Sequence, residues 1–198
     1  VSDLPPGSLL TPEEGDLLLK LARRAVQAAI EGGDVPEEAD GRPWLRARRD
    51  VFVTLRLQGA LRGCLGTYGS PGTLLENLVQ AARGAARDDA RFSPVAPHEL
   101  RGLRIELTLL DPPFAIAGPE AIALGRHGIR VSQRHARGLL LPQVAIEHRL
   151  DAEAFLGLAC RKAGLRPDAW RHGARIEAFT AECVSEPEAL PGPRAGPA

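Results

Sequence analysis

The chain has 198 residues, which suits one large domain or two small lobes around a shared core. Lys+Arg 25 balances Asp+Glu 25, so no overall field draws the chain toward nucleic acid or an acidic membrane, and a hydrophobic content of 44% is that of a globular protein. No run approaches the roughly 18 apolar residues that a spanning helix needs, and no basic-then-apolar signal pattern opens the sequence.

Residues 1–10 read as a leader with Pro5, Pro6 and Gly7. Thr11-Pro12-Glu13-Glu14 is a strong helix start, with an N-cap hydroxyl, proline at N1 and Glu at N3 completing a capping box. The helix is expected to reach Ile30 or Glu31 and stop at Gly32-Gly33, with Leu18, Leu21, Ala22, Ala25 and Ala29 as its apolar stripe. Residues 34–50 read as a polar loop carrying Pro36, Gly41 and Pro43, anchored by Trp44. Val51–Leu57 alternates as a strand, Gln58-Gly59 marks a turn and Ala60–Leu65 is the return strand. Ser70-Pro71 is read as opening a helix through Arg87, with Leu74, Leu78, Val79, Ala82, Ala85 and Ala86 facing inward.

Arg101–Leu110 is the clearest strand, with Leu103, Ile105, Leu107 and Leu109 on one face and Arg104, Glu106 and Thr108 on the other. A short helix is expected at residues 119–124. Gly128–Gln133 and Gly138–Leu141 read as a hairpin across Arg134–Arg137, with Pro142 marking a strand end, an edge or a bulge. Asp151 caps a helix through Ala163 with Gly164 after it, Arg175–Val184 is a last strand, and the proline-rich residues 187–198 read as a flexible tail. Hairpins grouped apart from long helices predict an α+β fold with antiparallel sheet.

The stretch Arg62-Gly63-Cys64-Leu65-Gly66 stands out. On an extended strand, residues i and i+2 share a face, so Arg62 and Cys64 are expected to point the same way, and a nearby guanidinium favours thiolate over thiol. Two registers are open. A two-residue loop puts Arg62 opposite Leu55 and Cys64 opposite Val53. A three-residue loop, Leu57-Gln58-Gly59, puts them opposite Thr54 and Phe52, and it is preferred because Leu55 then pairs with Leu61. Gly63 and Gly66 would let a backbone or a ligand approach closely.

Cys64 is then either a small core hydrophobe or a reactive thiol. Cys160 and Cys183 read as core. The three cysteines form no Cys-x-x-Cys pair, which argues against a zinc site or disulfide framework and for a reducing cytoplasm. Glu106 is either a carboxylate paired with Arg62 or Arg91, or solvent-facing. His127 reads as a surface turn residue, and His98, His135, His148 and His172 as exposed, with no metal-ligand spacing.

Several segments together resemble the AMMECR family, the "protein A" component of the AmmeMemoRadiSam system. Val51-Phe52-Val53-Thr54-Leu55 precedes the family's Arg-Gly-Cys-Ile-Gly motif, here with Leu65 for isoleucine. Asp88-Asp89-Ala90-Arg91-Phe92 is similar to its Asp-Pro-Arg-Phe segment, with Ala90 at the proline. Ile105–Leu110, Leu139–Val144 and Cys160–Leu165 complete the set, in order.

The resemblance implies one domain over residues 11–186, made of two lobes around a cleft that holds the Arg-Gly-Cys segment. It implies a modification pathway shared with Memo-like and radical SAM proteins, but names no reaction and no cofactor. In the enzyme reading, Cys64 is nucleophile or covalent carrier, Arg62 lowers its pKa and holds an anion, and Glu106 is general base or orients Arg62. Arg91, Gln143 and Gly63 would then line the cleft and contact substrate. Two alternatives stand beside this: a non-enzymatic adaptor that binds a protein partner, and an RNA-modification factor.

Overall fold

A computed structural model of the chain describes residues 10–34 and 42–187. The expected leader at 1–9, the loop positions Pro36 and Gly41, and the tail from residue 188 lie outside the described residues. The fold is α+β, and the chain divides into two compact units. The first runs through Leu109 and resumes at Cys183; the second is Leu110–Glu182.

The first unit opens with α1, Pro12–Glu31. Thr11 caps it and Glu14 returns the bond to the Thr11 N–H, the capping box that the sequence specifies. Gly32 ends it with φ 82°. A 3-10 helix at Pro43–Arg46 follows, and its buried anchor is Leu45, with Trp44 only half-buried against the core. Next come β1, Asp50–Leu57, and β2, Ala60–Gly66. Helix α2, Leu74–Arg87, starts later than expected. Its N-cap is Thr73 in a second capping box with Glu76, so Ser70-Pro71 belongs to the preceding turn. Another 3-10 helix, Pro97–Gly102, leads into β3, Leu103–Leu110.

β2 pairs with β1 and β1 with β3, so β2 is an edge strand. The core side of this sheet is Val51, Val53 and Leu55 of β1 with Leu103, Ile105, Leu107 and Leu109 of β3. These pack with Leu18, Ala22 and Ala25 of α1 and Leu74, Leu78 and Ala82 of α2. Phe52, Thr54 and Arg56, and Arg104 and Glu106, point to the other side and are half-exposed.

In the second unit β4, Phe114–Ala115, pairs with β7, Arg175–Ser185, whose residues up to Glu182 lie here. β5, His127–Gln133, lies between β7 and β6, Ala136–Leu140, all antiparallel. The β5–β6 turn is only Arg134 and His135, shorter than the expected Arg134–Arg137, with Arg134 at φ 54°. Pro142 ends the strand region by occupying N1 of α3, Pro142–Glu147, a helix that the sequence reading did not anticipate. Asp151 caps α4, Ala152–Lys162, as expected. Phe155, Leu156, Ala159 and Cys160 of α4 bury against Ile129, Val131 and Ile176. The short helix expected at 119–124 is a 3-10 turn, Pro119–Ala121.

Candidate functional site

The Arg-Gly-Cys segment takes its geometry from a turn and a bulge. Gln58 and Gly59, at φ 53° and 81°, make a two-residue turn that pairs Leu57 with Ala60 and Arg56 with Leu61. The register then shifts between Leu55 and Arg56, so Leu55 faces Gly63, Val53 faces Leu65, Thr54 faces Cys64 and Phe52 faces Gly66. Arg62 is the extra residue. Neither expected register holds, and the preferred three-residue loop is overturned. The physical reason is burial. Without the bulge, a two-residue loop would turn Arg62 and Cys64 toward the core side with Leu55 and Val53. One inserted residue exchanges the faces and places Gly63 and Leu65 there instead.

The glycines have packing reasons. A Cβ on Gly63 would lie 2.1 Å from the Ala85 carbonyl oxygen of α2, and one on Gly66 would lie 2.3 Å from the Phe52 ring. Gly63 therefore admits a neighbouring backbone rather than a ligand.

Arg62 leaves the strand to hold the loop before β3. Its Nε and Nη2 donate to the two Glu99 oxygens at 2.8 and 2.9 Å, and its Nη1 and Nη2 donate to the carbonyls of Ser93 and Pro94 at 2.8 and 3.2 Å. Both side chains are 14% exposed. The hydrogen bond from Arg62, aided by the Ala96 N–H, pulls the Glu99 carboxyl down to about 2. Of the two expectations for Glu106, pairing with Arg62 or Arg91 fails, and it is not a bare solvent-facing carboxylate either. Both its oxygens accept from Nε of Arg56, at 3.0 and 2.9 Å, and one also accepts from Arg104 at 3.2 Å. The expected role of Glu106 in orienting Arg62 therefore falls to Glu99.

The cation beside the thiol is Arg91. Its Nε and Nη2 donate to the two oxygens of Asp89, at 2.9 and 2.7 Å, and Nη2 also reaches the Cys64 carbonyl at 3.3 Å. The second Asp89 oxygen accepts the Cys64 N–H at 2.8 Å. The Asp89–Arg91 pair thus satisfies both backbone groups of Cys64 as an adjoining strand would, and closes the sheet edge there. Asp89 is buried, and the Arg91 hydrogen bond holds its carboxyl well below the usual carboxylate range. Arg91 is correspondingly pushed up, by Asp89 first and in smaller part by the Cys64 side chain. Its side chain is 57% exposed, and among the described residues its Nη1 makes no hydrogen bond.

Cys64 itself is half-buried, and the Thr54 hydroxyl donates to its Sγ at 3.3 Å. Cys160 is buried in a helix core as expected. Cys183 is exposed on β7, with Sγ 3.5 Å from the Thr108 hydroxyl, so the expectation of a core position fails for it.

In the second unit, Gln143 is exposed on α3. His127 is half-buried in β5 rather than in a surface turn; its Nδ1 accepts the Ala123 N–H and its ring packs edge-on to Phe114. A cavity of about 530 Å³ lies among Gln133, Gly164, Leu165, Arg166, Asp168, Ala169 and His172. His172, read as exposed, lines it, but none of the proposed catalytic or substrate-binding residues does. Among the described residues, no three His, Cys, Asp or Glu side chains come together as a metal site, and no helix is long and apolar enough to cross a membrane.

The family model for AMMECR1 matches residues 19–184. The chain belongs to the AMMECR1 family. An AMMECR1-type protein of Methanosarcina acetivorans is 41% identical over 189 residues, covering 91% of this chain and 95% of that one. A Methanopyrus kandleri protein, MK0488, is 41% identical over 192 residues, covering 92% and 93%. The crystal structure of uncharacterized protein PH0010 from Pyrococcus horikoshii shares the fold at TM-score 0.83 and 39% identity, over 89% of this chain and 93% of that one. These relatives carry locus names or no descriptive name, and so assign no reaction to the AMMECR1 fold.

Proposed function

We propose that this AMMECR1 protein is the thiol-bearing component of a modification pathway, acting with Memo-like and radical SAM proteins, and that Cys64 is its reacting group. One observation carries the reading. In the Arg-Gly-Cys-Leu-Gly segment, Arg62, Gly63 and Gly66 each meet a packing or hydrogen-bonding demand of the fold, whereas the Cys64 side chain is half-exposed and lies against the Thr54 hydroxyl and the Arg91 guanidinium. A buried structural cysteine would be inert. Arg91 supplies the adjacent cation, while Glu106 fixes Arg56 and Arg104, so the proposed anion contact moves from Arg62 to Arg91.

The test is alkylation of Cys64 by neutral iodoacetamide across pH, followed by peptide mass spectrometry. Cys64 is expected to react faster than free cysteine at pH 7. A rate at or below that of free cysteine removes the reacting-thiol reading.

A non-enzymatic adaptor is the second reading. It is favoured by the same finding that Arg62 and Gly63 are structural, since a motif explained by packing needs no chemistry. Cys64→Ser separates the two: pathway activity is lost in the first case, and partner binding is kept in the second.

A further inference from the structure

We propose that the molecule Cys64 meets carries an anionic group, and that Arg91 receives it through Nη1, with Asp89 as the residue that positions Arg91. This rests on the reading of Cys64 as the reacting group.

Three features support it. First, of the two arginines beside the segment, Arg62 spends its Nε, Nη1 and Nη2 on Glu99, Ser93 and Pro94, at 14% exposure. Arg91 keeps Nη1 without a hydrogen bond among the described residues, at 57% side-chain exposure. Second, Arg91 is held still. Two bonds donated to Asp89 and one to the Cys64 carbonyl fix its guanidinium plane against the residue that bears the thiol. A pre-set fork loses little freedom when an anion arrives.

Third, a second guanidinium with an open nitrogen lies on the Thr54 side of the sheet. Asp89 and Arg91 cancel, and Glu106 together with Asp50, which shares the Thr54 face of β1, balances Arg56 and Arg104, so the attraction is local to the guanidinium and not a property of the whole face. Arg56 likewise keeps Nη2 without a hydrogen bond among the described residues.

The experiment compares two alkylating reagents that differ in charge, iodoacetate and iodoacetamide. Each undergoes the same step: the thiolate attacks the methylene carbon, the S–C bond forms and iodide leaves. The thiol proton goes to solvent. Exposed Cys183 is the control in the same chain. The iodoacetate-to-iodoacetamide rate ratio at Cys64 is expected to exceed that at Cys183 by about fivefold, the effect of one partly exposed charge pair. The excess should shrink as salt screens it.

Arg91→Gln should remove the excess, and Arg91→Lys should retain most of it while keeping Asp89 paired. Equal ratios at Cys64 and Cys183 overturn the proposal, as does a wild-type excess that salt leaves unchanged. If Cys64 resists both reagents while Cys183 reacts, the reading of Cys64 as reacting group fails instead.

Discussion

Arg62 and Arg91 carry the same guanidinium, two residues before and 27 residues after Cys64, and the fold uses them for different ends. Arg62 is a tie. With Glu99 it forms a mostly dehydrated, bidentate pair that also takes two loop carbonyls, so Arg62→Gln leaves a carboxylate without its partner. A loss of about 2–4 kcal/mol is expected, read from urea unfolding. The pH dependence follows from Glu99. Its folded pKa, about 2, lies below its ordinary 4.5, so its stabilisation is present above pH 4.5 and is lost as pH falls from there toward 2. Asp89, also held low, by Arg91, adds in the same direction. The wild-type urea midpoint should therefore fall on acidification through that window, and Glu99→Gln should flatten the fall. An unchanged slope in Glu99→Gln would show that the Arg62 pair does not set it. Sequence reading picked out Arg62, Cys64 and Arg91 and offered Glu106 as a candidate partner of Arg62, where the partner is Glu99. Glu99 sits 37 positions away and has no local signature. Asp89 was visible in the Asp88–Phe92 segment without a role, because its task is to bond the backbone of a strand it does not neighbour in sequence.

At the scale of elements, what the sequence made legible was what local chemistry determines. The α1 capping box, the Gly32 stop, the Asp151 cap and the alternation of β3 all followed from neighbours within a few residues. The second capping box was equally readable at Thr73–Glu76, but the proline at 71 drew the helix start three residues early. The proline signal that opens α3 at Pro142 was read only as the end of a strand. The bulge was not legible, because its cause is tertiary: β2 can lie against α2 only where a residue without Cβ faces the Ala85 carbonyl. Gly63→Ala tests that contact. The added methyl meets backbone, which cannot swing aside, so a loss of about 3 kcal/mol or more is expected. Gly59→Ala is the comparison. It has open space around it but φ +81°, so its cost is conformational alone, about 1–2 kcal/mol. Equal losses for the two would mean that β2 and α2 yield at Gly63, and that packing does not set the register.

At the scale of the molecule, the chain builds two cores rather than one. Leu18, Leu55, Leu78 and Leu107 belong to the first, and Ile129, Phe155, Leu156 and Ile176 to the second. The division is not visible in composition, since apolar residues run through the whole sequence at similar density. It emerges where β3 passes Leu109 and where β7 returns at Cys183, within strands that read as uninterrupted. The candidate thiol and all of its described contacts (Thr54, Asp89, Arg91) lie in the first unit. Damage to the second core should therefore reach the thiol only if the two units unfold as one. Phe155→Ala, at a fully buried position, is expected to cost about 3–5 kcal/mol. In hydrogen exchange, the loss of protection should appear first in α4, β5 and β6, while amides of β1 and β2 keep their wild-type rates. The alkylation rate of Cys64 should stay unchanged in the same variant. A parallel loss of protection in β1 and β2, with faster alkylation of Cys64, would show a single cooperative unit in which the stability of the second core guards the site in the first.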